Sequence, residues 1–183
     1  MVYEKNISLL REKKFFGLFE NLAGKAVEAT ELLGELKEDH SKLSQISQVL
    51  NTLEDEADSV VHQIVQELIY DHSRGGEEKE DIRYFGHNPD NVVDGVEKAV
   101  NRLTFTRRQH KTLPEPVSEF STVILEASEE IRKAVSCLRN PGAEEKTLEA
   151  CCIKINELVF SLISSSILDI IFVHFYISFY LIM

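Results

Sequence analysis

The chain has 183 residues, of which 28 % are charged, with only 8 glycines and 4 prolines. This length suits one domain with a substantial core, and this composition favours helices over a β-sandwich or β-barrel. The formal net charge of −11 at pH 7 repels phosphate backbones, so we expect no nucleic-acid partner. Three cysteines without a CxxC pair, and charged residues that interrupt the N-terminal segment, indicate a reduced, cytoplasmic protein.

Helical periodicity dominates from about residue 7 to residue 158. A first helix is predicted over roughly residues 7–38 and a second over 41–70. In the second helix the apolar residues recur at steps of three and four, which is typical of a helix packed lengthwise in a bundle or coiled coil. The residues of this stripe are Leu43, Ile46, Leu50, Leu53, Ala57, Val60 and Ile64.

Three further helices are predicted after breaks in this periodicity. The stretch Gly86-His87-Asn88-Pro89 is predicted to begin the third helix, with Asn88 as its N-cap. Two more helices follow Pro114-Glu115-Pro116 and Asn140-Pro141-Gly142. The fourth has its own stripe of apolar residues at three- and four-residue steps: Val117, Phe120, Ile124, Ala127, Ile131, Ala134 and Leu138. Five long helices with short loops predict an all-α, up-and-down antiparallel bundle.

Two groups of carboxylates border the apolar stripes of the second and third helices. Glu54 and Asp58 lie one turn apart on the second helix, and Asp90 and Asp94 lie one turn apart on the third, with Glu97 nearby. If the two helices are neighbours, these carboxylates converge on a flank with few cations. They would then bind a hard divalent or trivalent metal ion through oxygen ligands. A merely solvated acidic surface is the alternative that this spacing leaves open.

The motifs of several enzyme classes are absent from the sequence. A di-metal carboxylate enzyme built in a helical bundle needs Glu-x-x-His pairs, and none of the 6 histidines has a Glu three residues before it. Nucleophile motifs, phosphate-binding glycine loops and zinc-ligand spacings are also missing. We therefore expect a non-enzymatic protein, with a di-metal enzyme as the least favoured alternative.

A basic cluster lies near the predicted end of the third helix. Basic residues at this position complement the helix dipole, or they dock on anionic lipid headgroups or on an acidic loop of a membrane protein. The cluster consists of Arg102, Arg107, Arg108, His110 and Lys111.

Several unlike motifs, taken in order, resemble the PhoU-like family, the accessory proteins of Pit-type phosphate transporters. They cover about residues 10–158. The matching stretches are Lys13-Lys14-Phe15-Phe16-Gly17-Leu18-Phe19-Glu20, Ala26-Val27-Glu28-Ala29, Leu53 to Asp58, Glu80-Asp81-Ile82, Asp90-Asn91-Val92-Val93-Asp94 with Glu97, Glu126-Ala127, Ile131, Lys133-Ala134-Val135 and Ile155-Asn156-Glu157-Leu158.

The resemblance implies a duplicated helical bundle that regulates inorganic phosphate transport without being an enzyme. It implies that Glu54, Asp58, Asp90 and Asp94 hold a metal ion, because they match the family's metal-binding motifs. A phosphate transporter or another membrane protein is the implied partner, which would place the protein in the cytoplasm or at the inner face of the membrane. A homo-oligomer remains open.

The chain departs from the family pattern in the third helix and at its end. Pro89 replaces the usual apolar residue before the third-helix motif, and Val159 and Ile163 stand where the second copy of the acidic motif is expected. A second metal site is therefore expected to be absent, and the sixth helix of the duplicated bundle is missing or replaced. This divides the chain into a bundle over residues 1–158 and an atypical apolar tail over residues 159–183.

Three accounts of the tail compete. Residues 158–183 contain no Lys, Arg or Glu, and they have one Asp (Asp169) and one His (His174). Such a segment is long enough to anchor a protein in a bilayer, which would make this a membrane-tethered helical adaptor without metal. It would also be able to cover the open bundle as a sixth buried segment. We favour the third account, an altered reading frame after residue 158, because the composition changes inside a motif.

Overall fold

The computed structural model describes residues 2–106 and 115–165. Throughout these ranges the chain is helical, apart from short connections, and no strand occurs in them. The elements are α1 (Val2–Glu38), a 3₁₀ turn (His40–Lys42), α2 (Leu43–Tyr70), α3 (Gly76–Thr106), α4 (Glu115–Cys137) and α5 (Pro141–Ser165). The five helices pack against one another, which confirms the predicted all-α bundle. Within the described ranges, no helix is both long and apolar enough to cross a membrane.

The core lies between α1, α2 and α3. Helix α1 packs against α2, α3 and α4, and α2 packs along α3. Every residue of the predicted α2 stripe is at most 5 % exposed, so that stripe is confirmed. Facing side chains from the other two helices complete this core: Leu22, Ala26, Leu33, Leu36, Val93, Val96 and Val100.

Short connections join α1 to α2, α2 to α3 and α4 to α5, as in an up-and-down bundle. Asp71, which is 1 % exposed, ends α2 and accepts hydrogen bonds from the Ser73 amide at 3.0 Å and from Arg74 Nε at 3.0 Å. The Arg74 guanidinium in turn lies 5.7 Å from the centre of the Phe15 ring. The ion pair stabilises the α2–α3 turn, and the cation–π contact attaches this turn to α1.

The predicted start of the third helix is wrong. Helix α3 begins at Gly76, with Glu77 and Glu78 in its first turn, and Pro89 lies in its interior. Pro89 removes one intrahelical hydrogen bond, yet the turn before it is fixed by packing. The Phe85 ring meets the Phe19 ring edge-on at 4.8 Å. Tertiary packing against α1 therefore holds this segment helical in spite of the proline.

The face that α4 turns to the core only partly matches its apolar stripe. All seven residues of the predicted α4 stripe are only half-buried. Ser118, Ser121 and Ser128 are at most 4 % exposed instead. The Ser121 and Ser128 hydroxyls donate to carbonyls of their own helix, at 2.7 Å to Ser118 O and 2.8 Å to Ile124 O. Small side chains with internally satisfied hydroxyls thus share the core-facing side of α4 with Val135, while Val117, Ile124 and Ile131 of the stripe pack against the core at its edge.

An apolar groove lies where α3, α4 and α5 meet. It has a volume of about 290 Å³. We call it the α3–α4–α5 groove, and its lining includes Phe85, Pro89, Ile131, Leu138, Leu148 and Ile155. Helix α5 packs along α4 and continues without interruption through residue 158, so the first residues of the predicted tail are its last turns. The rest of that tail, residues 166–183, lies outside the described ranges.

Candidate functional site

The four predicted metal ligands lie on two helices that are in contact. Glu54 and Asp58 belong to α2, and Asp90 and Asp94 belong to α3. The sequence prediction required these two helices to be neighbours, and α2 and α3 do pack along each other. We call the surface formed by these four residues and Glu97 the acidic face.

A glycine lets the two helices approach closely beside the acidic face. A Cβ atom added to Gly86 would lie 2.9 Å from Cδ1 of Ile64 and 3.8 Å from the Phe19 ring. Any larger residue would have to displace the Ile64 side chain, which belongs to the core. Gly86 lies one helical turn before Asp90, so this close contact brings the carboxylates of α3 towards those of α2.

Glu54 is surrounded by like charges. Partial burial raises the pKa of its carboxyl, and the negative charges of Asp58, Asp55, Asp94 and Glu97 raise it further. Two of these four charges come from α3, so the repulsion acts across the helix interface as well as along α2.

Asp90 is in a similar environment, but it also has histidines nearby. Burial is the main reason that the pKa of its carboxyl is raised, and the charges of Asp58 and Asp94 add to this effect. His87 and His62 act in the opposite direction. The charges of Asp58 and Asp94 thus act on Asp90 as well as on Glu54, so these four carboxylates belong to one electrostatic cluster.

Protein side chains already engage part of the acidic face. Lys98 Nζ donates to Asp94 Oδ2 at 2.6 Å, and the Asn101 amide donates to Glu97. His62 Nδ1 lies 2.9 Å from the Asp58 backbone carbonyl and 3.7 Å from Asp58 Oδ2. The expectation of few cations on this flank is therefore wrong at Asp94. Lys98 follows Asp94 by four residues, a spacing at which helical side chains meet, so the sequence contained this signal.

The chemistry of the acidic face suits a metal ion better than its present geometry does. Its donors are all carboxylate oxygens, the ligands preferred by hard divalent and trivalent cations. In the described part of the chain, however, no three His, Cys, Asp or Glu side chains are placed so that they could hold an ion. Metal binding would require side-chain rotation, including release of Asp94 by Lys98. Exposed side chains make such changes on the picosecond-to-nanosecond timescale.

Two other sequence predictions bear on the site. Val159, which stands where the family pattern has an acidic residue, is 44 % exposed on α5. Of the predicted basic cluster, Arg102 lies on α3 and is exposed. Arg107, Arg108, His110 and Lys111 lie outside the described residues. Sequence reasoning missed His87, although it precedes Asp90 by three residues and thus lies on the same side of α3.

Known proteins add no assignment to this geometry. Comparison with models of protein families, with characterised proteins and with solved structures gives no match to this chain.

Proposed function

We propose that this protein is a non-enzymatic, PhoU-like accessory protein that regulates inorganic phosphate transport. In this proposal the acidic face binds a divalent or trivalent metal ion and then docks on a phosphate transporter or another membrane protein. The protein acts from the cytoplasm, at the inner face of the membrane. The resemblance of residues 10–158 to the PhoU-like family supports the cellular role, and the acidic face supports the mechanism.

One observation supports the proposal most: the repulsion among carboxylates from two different helices. Burial and four neighbouring negative charges disfavour ionisation of Glu54, and burial and two negative charges disfavour ionisation of Asp90. A multivalent cation between α2 and α3 would relieve this repulsion and would link the two helices. A metal-loaded face would also carry a changed charge, which a partner with an acidic loop would recognise.

A second function is supported by the contacts of Asp94. Because Lys98 already donates to Asp94 at 2.6 Å, the acidic face needs no metal at that point. In this alternative the protein is a metal-free helical adaptor, and the acidic face contacts a basic surface of its partner directly. The two functions differ in whether purified protein binds a metal ion.

Metal analysis of the purified full-length chain tests the proposal. After dialysis against a chelator, the protein is titrated with Mg²⁺, Ca²⁺, Mn²⁺ or Fe³⁺, and binding is followed by calorimetry and by the melting temperature. A cation present at about 100 times its dissociation constant is expected to stabilise the fold by about 2.7 kcal/mol, or about 5–10 °C. The double variant Glu54→Ala/Asp58→Ala should lose this increase.

A matched control separates loss of the site from loss of negative charge. The double variant Glu77→Ala/Asp81→Ala removes two exposed carboxylates near the start of α3 and should retain metal binding. Absence of binding by the wild type would reject the metal-dependent mechanism and leave the adaptor. Phosphate uptake by cells that co-express a Pit-type transporter tests the cellular role. Uptake that is the same with and without the protein would contradict it.

A further inference from the structure

Helix α5 is apolar on more sides than the described part of its own chain covers. The side that packs on α4 is buried, with Cys151 1 % exposed and Leu158 7 % exposed. Among the described helices, α4 is the one along which α5 packs. A helix that is apolar on most of its circumference is normally enclosed by several neighbours. Helix α5 therefore has fewer neighbours than its sequence suits.

The first uncovered side of α5, which we call the groove side, consists of Leu148, Cys152, Ile155 and Val159. The first three of these residues line the α3–α4–α5 groove. Val159 follows Ile155 by four residues and so lies on the same side of the helix, and it is 44 % exposed. Within the described ranges, the groove lining contains no charged side chain.

The second uncovered side, which we call the outer side of α5, carries Ile153 and Phe160. These residues are seven positions apart and therefore share one side of the helix, and they are 53 % and 73 % exposed. At 3.6 residues per turn, the outer side lies about 120° from the groove side. Helix α5 also carries Glu149, Lys154 and Glu157, which would be costly inside a bilayer. Both apolar sides therefore suit contact with protein.

The α3–α4–α5 groove has the form of a site that receives a helix. Phe85 and Pro89 come from α3, Ile131 and Leu138 come from α4, and the groove side of α5 completes the lining. Amphipathic helices bind such apolar grooves through residues spaced three, four and seven positions apart. Helix α5 has these spacings on its own two uncovered sides.

We propose that the α3–α4–α5 groove binds α5 of a second copy of this chain. The two copies are related by a two-fold axis that runs parallel to α5. Because α5 forms one edge of the groove, this axis places each α5 in the groove of the other copy, and the interface closes. The groove sides of the two α5 helices meet, and the outer side of each faces α3 of the other copy. A second copy thus covers the groove and both uncovered sides of α5 in a single contact.

The area of this contact is sufficient for a reversible dimer. The stretch of α5 from Leu148 to Phe160 is about 20 Å long and about 10 Å in diameter, so half of its circumference presents about 300 Å². Each copy contributes one such helix and one groove, so the contact buries about 1,200 Å² in total, the lower limit of stable interfaces. We therefore expect a dissociation constant in the micromolar range.

The net charge of the chain distinguishes this apolar contact from an ionic one. Each copy has a formal net charge of −11 at pH 7, so two copies repel each other, and added salt screens that repulsion. Association through apolar residues should therefore become tighter as the salt concentration rises. Association that weakens with salt would contradict the proposal, because it would indicate pairing of opposite charges. The proposal does not depend on metal binding or on a role in phosphate transport.

Sedimentation equilibrium of the full-length chain tests for the dimer. Protein concentrations from about 1 μM to about 100 μM bracket a micromolar dissociation constant. The variant Ile153→Glu/Phe160→Glu places two charges on the outer side and should raise the dissociation constant at least about tenfold. The control Ile69→Glu/Phe105→Glu adds the same two charges at positions that are also exposed, 62 % and 87 %, and that do not line the groove. It should dimerise as wild type does.

Three results of this experiment would overturn the proposal. The first is a wild-type chain that stays monomeric over the whole range. The second is a dimer that the two double variants weaken equally, or that neither of them weakens. The third is a mass that keeps rising with concentration, because a closed two-fold interface stops at two copies.

Cys152 provides a test that needs no substitution in the interface. It lies on the groove side and is exposed in the described part of the chain, whereas Cys137 and Cys151 are buried. A two-fold axis parallel to α5 places the two Cys152 residues at the same height on helices whose axes are about 8–10 Å apart. A short bismaleimide should therefore link Cys152 of one copy to Cys152 of the other, which peptide mapping by tandem mass spectrometry identifies.

The cross-link should be lost in Ile153→Glu/Phe160→Glu and retained in Ile69→Glu/Phe105→Glu. Its absence from wild type at concentrations that give the dimer mass would refute the predicted symmetry. Reaction of Cys152 with N-ethylmaleimide gives the remaining check. Slow reaction at every protein concentration would refute the proposal, because the groove would then be covered within one chain.

Discussion

The substitution Asp90→Asn is expected to stabilise the metal-free protein. Burial and the charges of Asp58 and Asp94 raise the pKa of Asp90 in the folded state, so folding favours the protonated carboxyl. A group of this kind contributes stability below its unfolded pKa of about 3.9, and that contribution is lost as the pH rises through the higher folded pKa. At pH 7 the ionised Asp90 therefore lowers the free energy of unfolding, and an uncharged amide of the same shape removes this effect.

The size of the effect follows from the surroundings of Asp90. This carboxyl is half-buried, and His87 and His62 partly offset the repulsion. Solvent screening at such a site keeps one charge–charge interaction to about 0.5–1 kcal/mol. For a chain of this length, that gain corresponds to a rise in melting temperature of about 1–4 °C.

Urea denaturation in the presence of a chelator measures this gain between about pH 4.5 and pH 7.5. The difference between Asp90→Asn and wild type should widen as the pH rises through the raised pKa of Asp90, because the wild-type carboxyl becomes ionised there. The control Asp81→Asn changes an exposed carboxyl of the same helix and should alter stability by less than about 0.5 kcal/mol. A variant that is less stable than wild type at pH 7, or a gain that does not vary with pH, would refute the electrostatic reasoning.

Two further predictions concern the packing of the bundle. Gly86→Ala should lower the free energy of unfolding by about 1 kcal/mol, because its Cβ would meet Ile64 Cδ1 at 2.9 Å. Gly95→Ala, with no atom within 4 Å of the new Cβ, should raise it by about 0.5–1 kcal/mol; equal effects in thermal melts would argue against the close contact of α2 and α3. Glu20→Gln should lower the melting temperature by about 1–3 °C at pH 7, because Arg139 Nε donates to Glu20 at 2.5 Å and joins the α4–α5 turn to α1. The hydrogen bond from Arg139 lowers the pKa of Glu20, so this loss should disappear as the pH falls through that lowered value, and a loss that persists in acid would contradict the ion-pair explanation.

The sequence predicts the first half of the fold well because its pattern and its packing agree. The α2 stripe is regular, and the residues that it predicts as buried are the buried ones. The four carboxylates lie on facing helices because each pair borders such a stripe. The position of Asp94 relative to Lys98 also follows from a spacing of four residues.

The sequence predicts the start of α3 and the packing of α4 less well because local signals compete there with tertiary contacts. In the sequence, Gly86 and Pro89 indicate a helix boundary. In the structure, Gly86 instead allows the close contact with Ile64, and Phe85 packs on Phe19. In α4 the apolar stripe predicts the buried residues, whereas Ser118, Ser121, Ser128 and Val135 are at most 4 % exposed and the stripe residues are half-buried. Periodicity alone does not reveal that serine hydroxyls bonded to their own helix are inexpensive to bury.

The buried serines of α4 have a consequence for the order in which the protein opens. Ser118, Ser121 and Ser128 occupy buried positions but remove less apolar surface from water than Leu, Ile or Val would there, so α4 is expected to gain less free energy from packing than α2 does. Regions with few buried apolar contacts open at lower free-energy cost than the rest of a protein. The α4–α5 hairpin is therefore expected to separate first, while the three-helix unit that carries the acidic face stays folded. The bundle is thus expected to contain two cooperative units, of which the α4–α5 hairpin is the less stable.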